Sequence, residues 1–227
     1  MSKRLIFLLL GFYLSLALAV YGLSSYDPLD TFNRANTGPP PSTQWSSPVL
    51  SGQIGLKVVS NTLAGSATQD SSYWNVRTFP GDVSMAVTLT AITTLSRYVR
   101  LYIRLASPGV ASTTTGYLCQ AVFESTAAAS GLTLRRVDAG VPGVNLGQTL
   151  NITWAVGDAI GCEMRGTQLC MYRRPAGSSV WGSATCLTDA TYTTAGFVGV
   201  GLNGVEITVD DFWAGALGRK GRARFLD

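Results

Sequence analysis

Apolar and polar residues alternate in short runs along most of this chain, and no stretch sustains a helical period. From Val83 to Ile92, Val83, Met85, Val87 and Leu89 fall on one side, while Ser84, Ala86, Thr88 and Thr90 fall on the other. A period of two with one apolar side predicts a half-buried strand. Tyr98 to Leu105 repeats the pattern, setting Tyr98, Arg100, Tyr102 and Arg104 against Val99, Leu101, Ile103 and Leu105. Further strands are predicted at Ile54 to Ser60, Leu63 to Ala67, Tyr73 to Phe79, Gly116 to Glu124, Leu132 to Val137 and Thr149 to Val156. Residues 160 to 173 read as a hairpin about Gly166-Thr167. The closing stretch reads as another, since Phe197 to Leu202 and Val205 to Trp213 flank Asn203-Gly204, a dipeptide suited to a type I′ turn. About a dozen short strands with turn residues between them predict an all-β domain, a two-sheet antiparallel sandwich.

Residues 1 to 23 (MSKRLIFLLLGFYLSLALAVYGL) break the alternation, with Lys3 and Arg4 ahead of an apolar run. Two readings fit: a signal peptide with Ala17-Leu18-Ala19 as the cleavage motif, or a membrane-anchor helix from Leu5 to Leu23. Either exports the rest of the chain, because the basic pair stays cytoplasmic. Residues 24 to 52 are an extended, Pro-rich lead-in containing the first strand, residues 53 to 217 hold the rest of the sandwich, and 218 to 227 form a basic tail.

The net charge of +4 changes little once its location is read. Lys3, Arg4, Arg219, Lys220, Arg222 and Arg224 lie outside the globular part, which keeps 11 basic residues against 12 acidic ones when Asp227 is also set aside. A nucleic-acid partner is therefore not expected. The absence of histidine removes Ser-His-Asp and Cys-His catalysis and every imidazole-bound zinc site. Cys119, Cys162, Cys170 and Cys186 have no CxxC spacing, and in an oxidising compartment they read as disulfide candidates. A two-residue turn at Gly166-Thr167 pairs Met164 with Leu169 and Cys162 with Met171, so Cys170 points the other way and Cys162 to Cys170 is disfavoured. Cys119 with Cys162 and Cys170 with Cys186 are the pairings expected, with buried free thiols as the alternative.

LDTFNRAN at 29 to 36, Trp45, YWNVRTFPGDVSMAVTL, CEMRGTQLCMY and the closing GVGLNGVEITVDDFWAG together resemble concanavalin A-like lectin/glucanase domains of the laminin G-like kind. Such domains occur in bacterial secreted and bacteriophage virion proteins, and the resemblance spans Asp27 to Leu217. It implies a two-sheet antiparallel jelly roll whose first and last strands are neighbours.

Three functions are implied by that resemblance. The first is an exported, non-enzymatic recognition or adhesion module that binds a glycan or cell-surface polysaccharide. The second is a structural virion or surface-assembly protein, touching neighbouring subunits through the sandwich and held in a membrane by residues 5 to 23. The third is a weak glycoside hydrolase, which the scatter of Glu124, Glu163 and Glu206 over different strands argues against. Each places the domain outside the cytoplasm. Tyr73, Trp74 and Trp181 border polar loops and are candidates for stacking on sugar, whereas Trp154 and Trp213 are expected in the core. No cofactor is required. Asp30, Asp210 and Asp211 would meet if the chain ends are adjacent, and could then hold a structural Ca²⁺; the alternative is that Asp30 caps a turn and Asp211 bonds loop amides.

Overall fold

The computed structural model describes residues 28–66, 69–92, 96–110 and 112–217, so the segment read as signal or anchor and the basic tail lie outside the described residues. The described chain forms fourteen strands. These are β1 (Trp45–Ser46), β2 (Lys57–Val59), β3 (Thr62–Ala64), β4 (Asp70–Trp74), β5 (Val83–Ala91), β6 (Arg97–Ala106) and β7 (Thr115–Phe123). They continue with β8 (Gly131–Asp138), β9 (Val141–Leu150), β10 (Ala159–Arg165), β11 (Gln168–Arg174), β12 (Gly182–Thr188), β13 (Phe197–Leu202) and β14 (Thr208–Ala216). Two seven-stranded sheets result, ordered β1-β4-β13-β6-β7-β8-β9 and β12-β11-β10-β5-β14-β3-β2, and the strand pairs are antiparallel. The all-β sandwich expected from the alternation is the observed architecture.

Between the sheets lies the core that the period of two foretells. Val83, Met85, Val87 and Leu89 of β5 face Val99, Leu101 and Ile103 of β6 across it, with Tyr117, Cys119, Phe123, Ile160, Cys162 and Met164 filling the space. Disulfides join Cys119 to Cys162, which ties one sheet to the other, and Cys170 to Cys186, which ties β11 to β12. The β10–β11 hairpin turns where expected, pairing Met164 with Leu169, Cys162 with Met171 and Arg165 with Gln168.

Five expectations need correction. The strand expected at Tyr73 to Phe79 runs from Asp70 to Trp74 instead, and a register shift after Ile103, with Arg104 at a φ of 53°, sends Leu105 to the outward side with Tyr102 and Leu118. Phe197 to Leu202 and Val205 to Trp213 do not form a hairpin: β13 pairs with β4 and β6 in the first sheet, and β14 pairs with β3 and β5 in the second. Residues 203 to 207 cross between the sheets, because Val198, Val200 and Leu202 enter the core from one side and Ile207 and Val209 from the other. Of the turn dipeptide, Gly204 alone takes a positive φ, so the type I′ geometry is not formed. The strand expected at Thr149 to Val156 ends at Leu150, where Asn151 turns left-handed with a φ of 64°. Val141–Leu150 and Gly182–Thr188 are strands that the apolar pattern did not mark, since both are edge-region strands rich in Gly, Ser, Thr and Asn.

Candidate functional site

The outward side of the first sheet departs from an ordinary solvated face. One cross-strand row reads Ser71 (β4), Gly201 (β13), Arg100 (β6), Gln120 (β7), Thr133 (β8) and Gln148 (β9). Every member is polar or glycine. Alternation explains the direction: Val99, Leu101, Cys119, Ala121, Leu132 and Leu134 turn into the core, so their neighbours turn out. Yet Arg100, Gln120 and Thr133 are only 7%, 7% and 5% exposed, so this part of the face is recessed rather than flat. Arg100 donates through Nε to Gln120 Oε1 at 2.9 Å, and its guanidinium carbon lies 3.8 Å from the centre of the Tyr98 ring. That stack fixes a long side chain in one place.

A second row runs alongside, from Tyr73 through Gly199, Tyr102 and Leu118 to Arg135. The Tyr102 ring lies over Gly201, where an added Cβ would come within 3.0 Å of it; glycine is what lets the ring lie flat. Burial pushes the Tyr102 pKa up, so the hydroxyl stays protonated. It makes no hydrogen bond of normal geometry, and neither do the Tyr98 hydroxyl and Arg135 Nε. At one end of the face the loop of residues 47–54 folds over the sheet. Val49 and Leu50 pack on Tyr102, Leu105, Leu118 and Val137, while Ser71 Oγ donates to Gln53 Oε1 and accepts from the Val49 amide. A cleft of about 450 Å³ runs beside this loop, lined by Leu50, Ser51, Gln53, Ile54, Gln69 and Pro142 among others. The residues of the two rows do not line that cleft, which lies beyond the loop; it is their own spare hydrogen-bonding capacity that suits them to a polar ligand.

Of the residues singled out from sequence, Tyr73 stands in the second row and the others fall elsewhere. Asp30 and Phe212 form an antiparallel bridge, so the two ends of the domain do meet. The Asp30 carboxylate, however, is already surrounded: it accepts from the Phe32 amide at 2.8 Å, from Arg34 Nη1 and Nη2 at 2.6 and 2.9 Å, and from Trp45 Nε1 at 2.8 Å. Burial alone would raise its pKa, but these donors outweigh burial and hold the carboxyl below its usual value. Asp210 sits nearby with its pKa raised, chiefly by burial and further by the charges of Asp211 and Asp30. Asp211 is exposed and left-handed, with a φ of 51°, and its amide bonds Asp210 Oδ1. Ca²⁺ wants six to eight oxygens, whereas Arg34 occupies the place a cation would take, so these three residues do not fit the ion. No cluster of three acidic or sulfur ligands occurs among the described residues.

Among the aromatic candidates, Trp74 is a correction. It is buried in the core, edge-on to Trp45 at 5.5 Å, because it is the inward residue of β4. Tyr73, its outward neighbour, is half-buried against Phe197 at the end of the second row, as expected for a residue at the border of the face. Trp181 lies on the opposite sheet, half-buried with Arg174 over its ring at 5.2 Å. Trp154 is in the core as expected, but Trp213 is not. A bulge between Asp210 and Trp213 reverses the alternation, so Phe212 enters the core and Trp213 packs outside with Cys170 and Tyr172. Of the three glutamates, Glu163 is buried on the outward side of the second sheet, Glu206 pairs with Arg97, and Glu124 accepts from Ser96. Arg100, Gln120, Thr133 and Arg135 are site residues that sequence reasoning does not single out. A signal for them exists in the charged side of the Tyr98 to Leu105 alternation, but cross-strand register is what assembles them.

No protein-family profile matches the sequence, and no curated protein matches it. Solved structures do. The exoplasmic/lumenal domain of VIP36 in its Ca²⁺-bound form superposes with a TM-score of 0.58 at 9% identity, over 86% of this chain and 91% of that one. The legume lectin-like domain from Entamoeba histolytica gives 0.50 at 12%, over 72% and 87%. A GH43 protein, BlXynB from Bacillus licheniformis, gives 0.55 at 14%, over 83% of this chain but 39% of that one. At such identities the likeness is one of architecture, and the architecture of this chain is the concanavalin A-like lectin fold.

Proposed function

We propose that this chain is a non-enzymatic carbohydrate-recognition module that takes its ligand across the outward side of the first sheet. The observation that carries the reading is the polar row from Arg100 to Gln148, flanked by Tyr98; beyond it the loop of residues 47–54 covers Ser71 and Tyr102 and closes that end of the face. A saccharide presents alternating hydroxyl donors and acceptors on one edge and a C–H face on the other, which an amide, hydroxyl and aromatic floor can meet. Solved VIP36 domains of the same fold carry Man3GlcNAc and Man in their ligand-bound forms, which supports the ligand class. The two disulfides support an oxidising, extracytoplasmic setting. Residues 1 to 23 would direct the domain there as leader or anchor.

Catalysis finds no support in the row, which holds no Asp or Glu among its members. A glycosidase needs two carboxyls facing one bond. A glycan array probed with the full chain tests the proposal. Binding to a restricted set of glycans, with no hydrolysis of the bound members, is the expected outcome; a chain that binds none contradicts it.

A further inference from the structure

The outward side of the first sheet carries charge of one sign only. Its outward positions include Arg100 on β6 and Arg135 on β8 but no carboxylate: the β4 positions are Ser71 and Tyr73, those on β7 are Gly116, Leu118, Gln120 and Val122, and β9 offers Asn145, Gln148 and Leu150. Among the described residues neither Arg100 nor Arg135 makes an ion pair, although seven other arginine–carboxylate pairs form elsewhere in the domain. The nearby acids are committed: Glu206 to Arg97, Glu124 to Ser96, Asp138 to Arg136 and Tyr192, and Asp70 to the Ser66 amide.

Burying a guanidinium without a counter-charge is costly, and Arg100 is only 7% exposed. Its neighbours are neutral: Nε donates to the Gln120 amide oxygen, the Tyr102 hydroxyl lies close by, and its stacking partner is the Tyr98 ring. Arg135 is half-buried with Nε unpartnered. Register places the two in adjacent rows two strands apart, so their Cα atoms are about 12 Å from one another. Two long side chains at that spacing can converge on one bound chain. The planar guanidinium fork matches a carboxylate or sulfate by paired N–H donors.

We infer that the site selects acidic saccharides, carboxylated or sulfated, with Arg100 and Arg135 as the groups that read the negative charge. The inference rests on the carbohydrate reading of this face. It adds to it the one counter-charge that the face lacks.

Affinity electrophoresis of the full chain decides it, with polygalacturonate and dextran sulfate as acidic probes and mannan and unsubstituted dextran as neutral ones. The basic tail is a competing source of attraction, so a variant with Arg219, Lys220, Arg222 and Arg224 replaced by Gln runs alongside. The wild type and the tail variant are expected to bind at least one acidic probe ten-fold or more tightly than both neutral ones. Arg135→Gln should lose ten-fold or more of that binding and should melt close to the wild type. Arg100→Gln should lose at least as much; because Arg100 is buried, its melting curve is read first and Arg135→Gln carries the test if it unfolds. Retention of acidic binding by Arg135→Gln, or its loss in the tail variant, overturns the inference. Tight mannan or dextran binding unaffected by either arginine variant overturns it too while leaving the carbohydrate reading intact. Failure to bind any of the four probes counts against both. Which acidic probe is retarded distinguishes carboxylate from sulfate.

Discussion

The seam between the chain ends and the outward side of the first sheet treat their arginines in opposite ways. At the seam where the chain ends meet, Arg34 forms a two-pronged pair with Asp30, and Trp45 and the Phe32 amide supply the remaining donors. On the outward side of the first sheet, Arg100 and Arg135 meet no carboxylate, and the Tyr98 and Tyr102 hydroxyls make no hydrogen bond of normal geometry. The seam also has rings packed around it, with Trp45 5.8 Å from Phe32 and 4.8 Å from Phe212. The Asp30 carboxylate, with its full set of donors, serves the fold, although Arg34 Nε beside it is itself without a hydrogen bond. A polar group left incomplete in a recessed place is available to a ligand.

The largest expected effect comes from breaking the complete set. Asp30→Ala leaves Arg34 and the Trp45 indole without their acceptor, and urea unfolding should show a loss of about 3 kcal/mol. Chelator should leave the wild-type melting temperature unchanged, because Arg34 supplies the positive charge. The pH dependence has a fixed sign. The Asp30 pKa is lowered on folding, so its contribution is present above about pH 4 and is lost as pH falls through the folded value. The stability gap between wild type and Asp30→Asn should therefore shrink in acid; a gap constant from pH 7 to pH 2 would contradict the pairing.

A smaller effect of opposite sign is expected at Glu163, which is buried on the second sheet with Oε2 unpartnered and Arg165 Nη2 at 3.5 Å from Oε1. Burial raises its pKa above the usual carboxylate value, outweighing Arg165. Here stability falls as pH rises from the unfolded pKa toward the folded one. Glu163→Gln should accordingly stabilise the domain at neutral pH and make no difference below the unfolded carboxyl's pKa. Chemical unfolding at both pH values checks this, and a destabilised variant at neutral pH would show that the pair with Arg165 dominates.

The smallest stability effect belongs to the row. Thr133→Val keeps the shape and removes a hydroxyl on which no other side chain of the face depends, so stability should change by no more than about 0.5 kcal/mol. A larger loss would move Thr133 to the structural side of the comparison.

The sheet content was legible because alternation is clean at β5 and in β6 as far as Ile103, before the register shift at Arg104 sends Leu105 to the outward side, and the turn at Gly166-Thr167 set the register that predicted which way Cys170 points. What alternation could not reveal is which sheet a strand joins. Phe197 to Leu202 and Val205 to Trp213 look like hairpin partners in one dimension, yet each has an apolar side that the core can take only from opposite directions. Bulges hid more: the one at Asp210 to Trp213 exchanged the roles of Phe212 and Trp213. The candidate site was the least legible part, since Ser71, Arg100, Gln120, Thr133 and Gln148 are far apart in sequence and become a row only through five strand pairings. Aromatics next to polar loops drew attention to Trp74, whose inward parity on β4 excludes it.

Whether the polar row binds the ligand is decided by the affinity of the best array glycan for the wild type and for a Thr133→Val, Gln148→Ala double variant. Both side chains stand on the row, and Gln148 is exposed. A ligand lying across the row should bind the double variant at least ten-fold more weakly with nearly unchanged melting; equal affinity in a folded variant would place the ligand elsewhere and contradict the assignment.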